Sequence, residues 1–133
     1  MQKVEHIGIA VKSLDASISL FEKLLNRQCY KTEQVEREKV KTAFFKSGET
    51  KIELLESMDP DGVIARFIER KGEGLHHIAF DVKDIGPEIR RLKKEGFRFV
   101  DETPRPGADN KLVCFLHPKD TSGVLIELCM EIL

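Results

Sequence analysis

Two stretches of this chain are near-copies of one another, and each carries a histidine at the same place. Val4-Glu5-His6-Ile7-Gly8-Ile9-Ala10-Val11-Lys12-Ser13-Leu14 recurs as Leu75-His76-His77-Ile78-Ala79-Phe80-Asp81-Val82-Lys83-Asp84-Ile85. His77 falls 71 positions after His6, about half of the 133 residues. A module of about 65 residues buries little surface alone, so a chain with this internal symmetry is constrained to one compact domain built from two like halves. We place the single domain at residues 1–133, with module one at 1–58, a linker helix at 59–73 and module two at 74–133.

The hydrophobic spacing gives each module the same order of elements. Val4 to Val11 alternates as a strand, and Ser13 caps a helix whose Leu14, Ile18, Phe21 and Leu25 share one face, with Asn26 as its stop. Gln28–Val35, Val40–Ser47 and Lys51–Glu56 read as strands, with Glu36-Arg37-Glu38-Lys39 between the first two. Asp59-Pro60-Asp61-Gly62 opens the linker and its helix, Val63–Arg70. In the second half Leu75–Val82 is a strand, Asp84 caps a helix with Ile85, Ile89 and Leu92, and Gly96 ends it. Phe97–Val100, Lys111–Leu116 and Val124–Cys129 supply three more strands, with Thr103–Gly107 a rigid loop. The expected class is α+β: two tandem β-α-β-β-β modules forming a curved sheet cleft.

Charge narrows the partners. Lys and Arg total 22 against 23 Asp and Glu, a net charge of −1, so neither a nucleic-acid footprint nor an acidic tail is present. The longest apolar runs fall far short of the ~20 residues of a membrane span, and no secretory signal precedes the first strand. Cys29, Cys114 and Cys129 are odd in number and form no Cys-x-x-Cys pair, which points to reduced thiols in the cytoplasm.

Strand alternation then sorts the polar residues. Ile7, Ile9 and Val11 form the apolar face under the helix, leaving His6, Gly8 and Ala10 on the other; Ile78, Phe80 and Val82 likewise leave His77 and Ala79. Gly8 and Ala79, each two positions after a histidine, keep volume open beside it. In Lys51-Ile52-Glu53-Leu54 and Val124-Leu125-Ile126-Glu127-Leu128, apolar neighbours put Glu53 and Glu127 on the histidine face. A carboxylate among apolar neighbours needs a cation or donors. His6, Glu53, His77 and Glu127 thus form a candidate nitrogen and oxygen ligand set for a divalent ion such as Co, Zn, Mn, Fe or Ni. His76 has the opposite parity and reads as a packed histidine; His117, before Pro118, lies past a strand end, either at the mouth of the cleft or in solvent.

With these residues the chain resembles the vicinal-oxygen-chelate superfamily, the glyoxalase, bleomycin-resistance and dioxygenase proteins. It is most similar there to the epimerases of methylmalonyl-CoA. The resemblance runs through both halves: His6–Val11, Ile52–Glu56, Gly72–Ala79, Pro104–Ala108, Phe115–Lys119 and Gly123–Leu128. It implies metal ligands at His6, His77 and Glu127 with Glu53 completing the set, a homodimer, and an acyl-CoA thioester substrate. Some members carry a glutamate acid/base where this chain has Thr42. The expected reaction is epimerisation at the α-carbon by 1,1-proton transfer through a metal-stabilised enolate. Glu127 is one proton-transfer group; Glu36, Glu38 or a water held by Thr42 is the candidate for the other. Lys111 and Lys119 are candidates for the coenzyme A phosphates, and His117 for substrate contact. The alternatives are glyoxalase I, a ring-cleaving Fe(II) dioxygenase using His6, His77 and Glu127, and a metal-free module that binds a small molecule.

Overall fold

The structure, a computed structural model, describes residues 1–101 and 103–133. The elements are β1 (Lys3–Ala10), α1 (Leu14–Leu25), β2 (Lys31–Val35), β3 (Val40–Ser47), β4 (Thr50–Ser57), α2 (Val63–Lys71), β5 (Gly74–Asp81), α3 (Ile85–Lys94), β6 (Arg105–Pro106), β7 (Lys111–Phe115) and β8 (Ile126–Glu131). They group into two compact units: His6–His76, and Met1–Glu5 together with His77–Leu133. The β1 strand therefore changes unit between Glu5 and His6.

In the unit His6–His76, β1 pairs in parallel with β4, and antiparallel pairing continues through β3 to β2. Helix α1 starts where Ser13 Oγ accepts the amide of Ala16 at 3.2 Å and ends at Asn26, whose left-handed φ of 52° breaks the repeat. Its apolar stripe of Leu14, Ile18, Phe21 and Leu25 packs on Ile9, Val11, Ala43, Phe45, Ile52 and Leu54, the sheet face that alternation assigned to it. On the opposite face Ala10, Val40 and Leu55 are covered by Ile64, Phe67 and Ile68 of α2.

The second unit repeats this plan. β5 pairs in parallel with β8, and antiparallel pairings follow through β7 to β6. Ile85, Ile89 and Leu92 of α3 pack on Val82, Leu112, Cys114, Leu116, Ile126 and Leu128, while Ala79, Val113 and Cys129 pack together on the other face. Asp84 stands at the N-cap of α3 with extended backbone, yet its side chain makes no capping hydrogen bond.

Two local expectations change. Phe97–Val100 is not a strand: pairing is confined to the bridge Phe99–Leu116 and its flanking hydrogen bonds, because both the amide and the guanidinium of Arg98 are bound by Asp120. Conversely, Arg105–Pro106, expected within a loop, pairs with Leu112 and Val113, and proline is tolerated on this short terminal strand. Asp109 and Asn110, with φ of 60° and 55°, turn the chain into β7. Among the described residues no helix is long and apolar enough to cross a membrane.

Candidate functional site

Each unit brings one histidine and one glutamate together by the same register. In the first, Gly8 lies directly across from Glu53, and Phe44 lies across from Glu53 on its other side. Lacking a side chain, Gly8 lets the Glu53 carboxylate lean toward the neighbouring histidine, and His6 Nε2 stands 3.3 Å from Glu53 Oε1. In the second, Ala79 lies across from Glu127 and Phe115 flanks it on the other side. His77 Nε2 is again 3.3 Å from Glu127 Oε1. All four side chains are buried. Phe115 meets the His77 ring edge-on with centroids 5.8 Å apart, which fixes the imidazole plane.

These pairs fit a cation on chemical grounds. A carboxylate oxygen and an imidazole nitrogen turned to each other in a buried place must share a proton or a positive ion, since two bare acceptors repel. Imidazole and carboxylate suit first-row divalent ions. Burial pushes the Cys114 thiol up to about 12 and also raises Cys129, in each case with further help from Glu127.

The remaining candidates are dispersed. Thr42 is fully buried on β3, across from Leu55 and from Glu33, and so shares the sheet face of Glu53. Glu36 and Glu38 sit in the turn between β2 and β3. Lys111 is buried, its ammonium 3.9 Å from Glu5, an interior placement rather than the solvent-facing one a phosphate contact needs. His117 Nδ1 accepts the amide of Lys119 at 3.2 Å and caps the turn Pro118–Asp120, leaving the Lys119 side chain exposed. His76, read from the sequence as a packed histidine, meets Phe67 of α2 edge-on at 4.9 Å between centroids. Sequence reading passed over Glu5, buried beside Lys111, which its strand context did not distinguish.

The comparisons agree with this architecture. The chain is 40% identical over 129 residues to the uncharacterised protein YqjC of Bacillus subtilis, covering 97% of this chain and 92% of that one. It is 36% identical over 127 residues to the mitochondrial methylmalonyl-CoA epimerase of Homo sapiens, covering 95% of this chain and 72% of the relative. A variant of Streptomyces coelicolor methylmalonyl-CoA epimerase, solved in complex with 2-nitronate-propionyl-CoA, superposes with a TM-score of 0.95 at 32% identity, covering 100% of this chain and 99% of that one. The family model of the Glyoxalase/Bleomycin resistance protein/Dioxygenase superfamily matches residues 5–115. The chain belongs to that superfamily, within the enzyme family that includes the methylmalonyl-CoA epimerases.

Proposed function

We propose that this chain epimerises methylmalonyl-CoA at its α-carbon as a metal-dependent, cytoplasmic homodimer. The observation that carries the reading is the duplicated buried pair, His6 with Glu53 and His77 with Glu127, in a chain 36% identical to an epimerase of that substrate. His6 and Glu53 in one unit, and His77 and Glu127 in the other, are the residues that would serve as ligands to a divalent ion, Co, Zn, Mn or Ni. When bound, such an ion supplies Lewis-acid stabilisation of the negative charge that develops on the thioester oxygen.

The chain's own residues do the rest. The α C–H is weakly acidic, and the Glu127 carboxylate takes its proton while the C–H electron pair moves into the bond to the thioester carbon. Phe115 keeps the His77 ring from turning, and Gly8 and Ala79 leave the volume that a branched side chain would fill. Lys119, which is exposed, would meet the coenzyme A phosphates, and Thr42, on the sheet face of Glu53, would hold a water.

The test is direct. Metal-loaded protein given (2R)-methylmalonyl-CoA in D₂O is expected to carry deuterium into C2 and to yield both epimers. His6→Ala and His77→Ala are each expected to stay folded by circular dichroism, lose the metal by elemental analysis, and lose at least a hundredfold in rate, as loss of a transition-state charge stabiliser does. Absence of exchange, with turnover of the methylglyoxal–glutathione hemithioacetal instead, would overturn the proposal in favour of glyoxalase I chemistry.

A further inference from the structure

The two halves of this chain share a scaffold, so a feature that only one of them carries needs a reason of its own. On the sheet face of His6 and Glu53, the unit His6–His76 carries lysines that sequence reading did not single out. We propose that Lys31, Lys46 and Lys51 form a phosphate site, and that its ligand is the nucleotide end of the acyl-CoA thioester. The identity of the ligand rests on the epimerase reading above, whereas the cation site stands on geometry.

The register puts these lysines on one face. One row across the sheet runs His6, Lys51, Lys46, and the next runs Gly8, Glu53, Phe44, Lys31. Residues paired across strands point to the same side, so the lysines face the way His6 and Glu53 do. Lys46 is exposed, while Lys31 and Lys51 are half-buried. Lys46 and Lys51 stand directly opposite one another, a pairing of like charges that costs a sheet stability and that a bound anion offsets.

Aromatic rings steady two of these cations. The Lys46 ammonium lies 5.1 Å from the centroid of the Tyr30 ring, and that of Lys31 lies 5.8 Å from the centroid of Phe44. The two rings are themselves 6.3 Å apart. Stacked in this way, long side chains are ordered before a ligand arrives, which lowers the entropy lost on binding.

The second half has the scaffold without the lysines. Lys51-Ile52-Glu53 recurs there as Leu125-Ile126-Glu127, and Phe115 flanks Glu127 as Phe44 flanks Glu53. Two residues past each phenylalanine stand Lys46 in one half and His117 in the other. The carboxylate and its phenylalanine are thus kept in both copies, and the lysines are not. A requirement of the sheet itself would have appeared twice.

Strands lie about 4.8 Å apart, which sets Lys46 about 10 Å and Lys31 about 14 Å across the sheet from β1. A thioester held at His6 and Glu53 is separated from its phosphates by the pantetheine arm, and the cations lie out along the sheet from that pair. Acidic groups share the region: Glu33 meets Lys31, Oε1 to Nζ 3.5 Å, Glu49 lies in the β3–β4 turn, and Glu53 stands with His6. The competing role is the ordinary one of lysines at a hairpin end and an outer strand, solubility and protection from edge pairing.

Two measurements on metal-loaded parent, Lys46→Ala/Lys51→Ala and Lys46→Arg/Lys51→Arg proteins separate these roles. The first is turnover of methylmalonyl-CoA and of methylmalonyl-pantetheine, which keeps the acyl head and lacks the phosphates. The alanine variant is expected to raise KM for the coenzyme A thioester about tenfold or more, the size of lost charge-assisted contacts, with kcat within about threefold of the parent. It is thereby expected to lose most of the parent's preference for that thioester over the pantetheine one, and the arginine variant to restore it. The second is thermal unfolding with 3′,5′-adenosine bisphosphate, a fragment of coenzyme A that has no thioester. The bisphosphate is expected to raise the melting temperature of the parent, less so at high salt, and to leave that of the alanine variant unmoved. An alanine variant with the parent's preference, equal loss of turnover on both thioesters, or a parent that the bisphosphate does not stabilise would overturn the assignment. A parent that turns over neither thioester, yet is stabilised by the bisphosphate through these lysines, would defeat the epimerase reading and sustain the cation site.

Discussion

A charge taken out of water survives inside a protein only where another group offsets it, and Glu5 with Lys111 is the clearest instance here. Both are buried, with the ammonium 3.9 Å from the carboxylate. Truncating the cation alone, Lys111→Met, leaves the Glu5 carboxylate in the interior and is expected to lower stability by about 3 kcal/mol. Combining it with Glu5→Gln removes the buried negative charge as well and is expected to recover most of that loss. Urea denaturation of the two variants measures both, and a single variant as stable as the parent would show the pair to be uncoupled. Such a pair is hard to read from sequence: a lysine before an apolar strand looks like a solvent-facing one, and the glutamate that meets it lies in another element entirely. His6, Glu53, His77 and Glu127 were legible for the opposite reason. Each stands among apolar neighbours in a strand, so alternation alone assigns its face, and the chain states the pattern twice.

Elements were read well where their ends carry a chemical mark. Helix α1 begins at a serine whose hydroxyl accepts an amide and stops at an asparagine in the left-handed region. Ser13→Ala is therefore expected to cost about 1 kcal/mol through the lost cap. At the other end Asn26→Ala is expected to cost about 1 kcal/mol, and Asn26→Gly to stabilise slightly, because only glycine enters that region without a steric penalty. Thermal unfolding of the three variants checks the order, and an Asn26→Gly protein less stable than Asn26→Ala would contradict it. Where the expectation of a strand at Phe97–Val100 missed, the cause was a long-range ion pair. Arg98 binds Asp120 through both backbone and side chain, and this confines the pairing to a single bridge. The same pair holds the Asp120 carboxyl down at about 2, through the hydrogen bonds from Arg98. Periodicity cannot report such a contact, since neither partner belongs to the apolar pattern. Nor could it report the Arg105–Pro106 pairing, which a Pro-rich composition argues against.

At the scale of the molecule the duplication fixed the class, the order of elements and the helix-facing side of each sheet. It did not reveal where the compact units part. Residues Met1–Glu5 group with His77–Leu133, not with the module they precede. They bring Gln2, whose amide donates to Asp81 O at 2.9 Å, the amino terminus at 3.2 Å from Glu88 Oε2, and Glu5 at Lys111. A fragment of residues 74–133 is consequently expected to lack cooperative unfolding in far-UV circular dichroism, being both short and deprived of these partners. A fragment that unfolded cooperatively would refute this. The crossing of β1 from one unit to the other also bears on descent. Two copies of a gene segment joined head to tail could at first be separated at the joint, each half able to recombine with some other sequence. Once the leading residues of one copy serve the other, a break at the joint injures both. The halves are thereafter inherited as a single piece, and any later divergence between His6 and His77 has to occur within one reading frame that neither can leave.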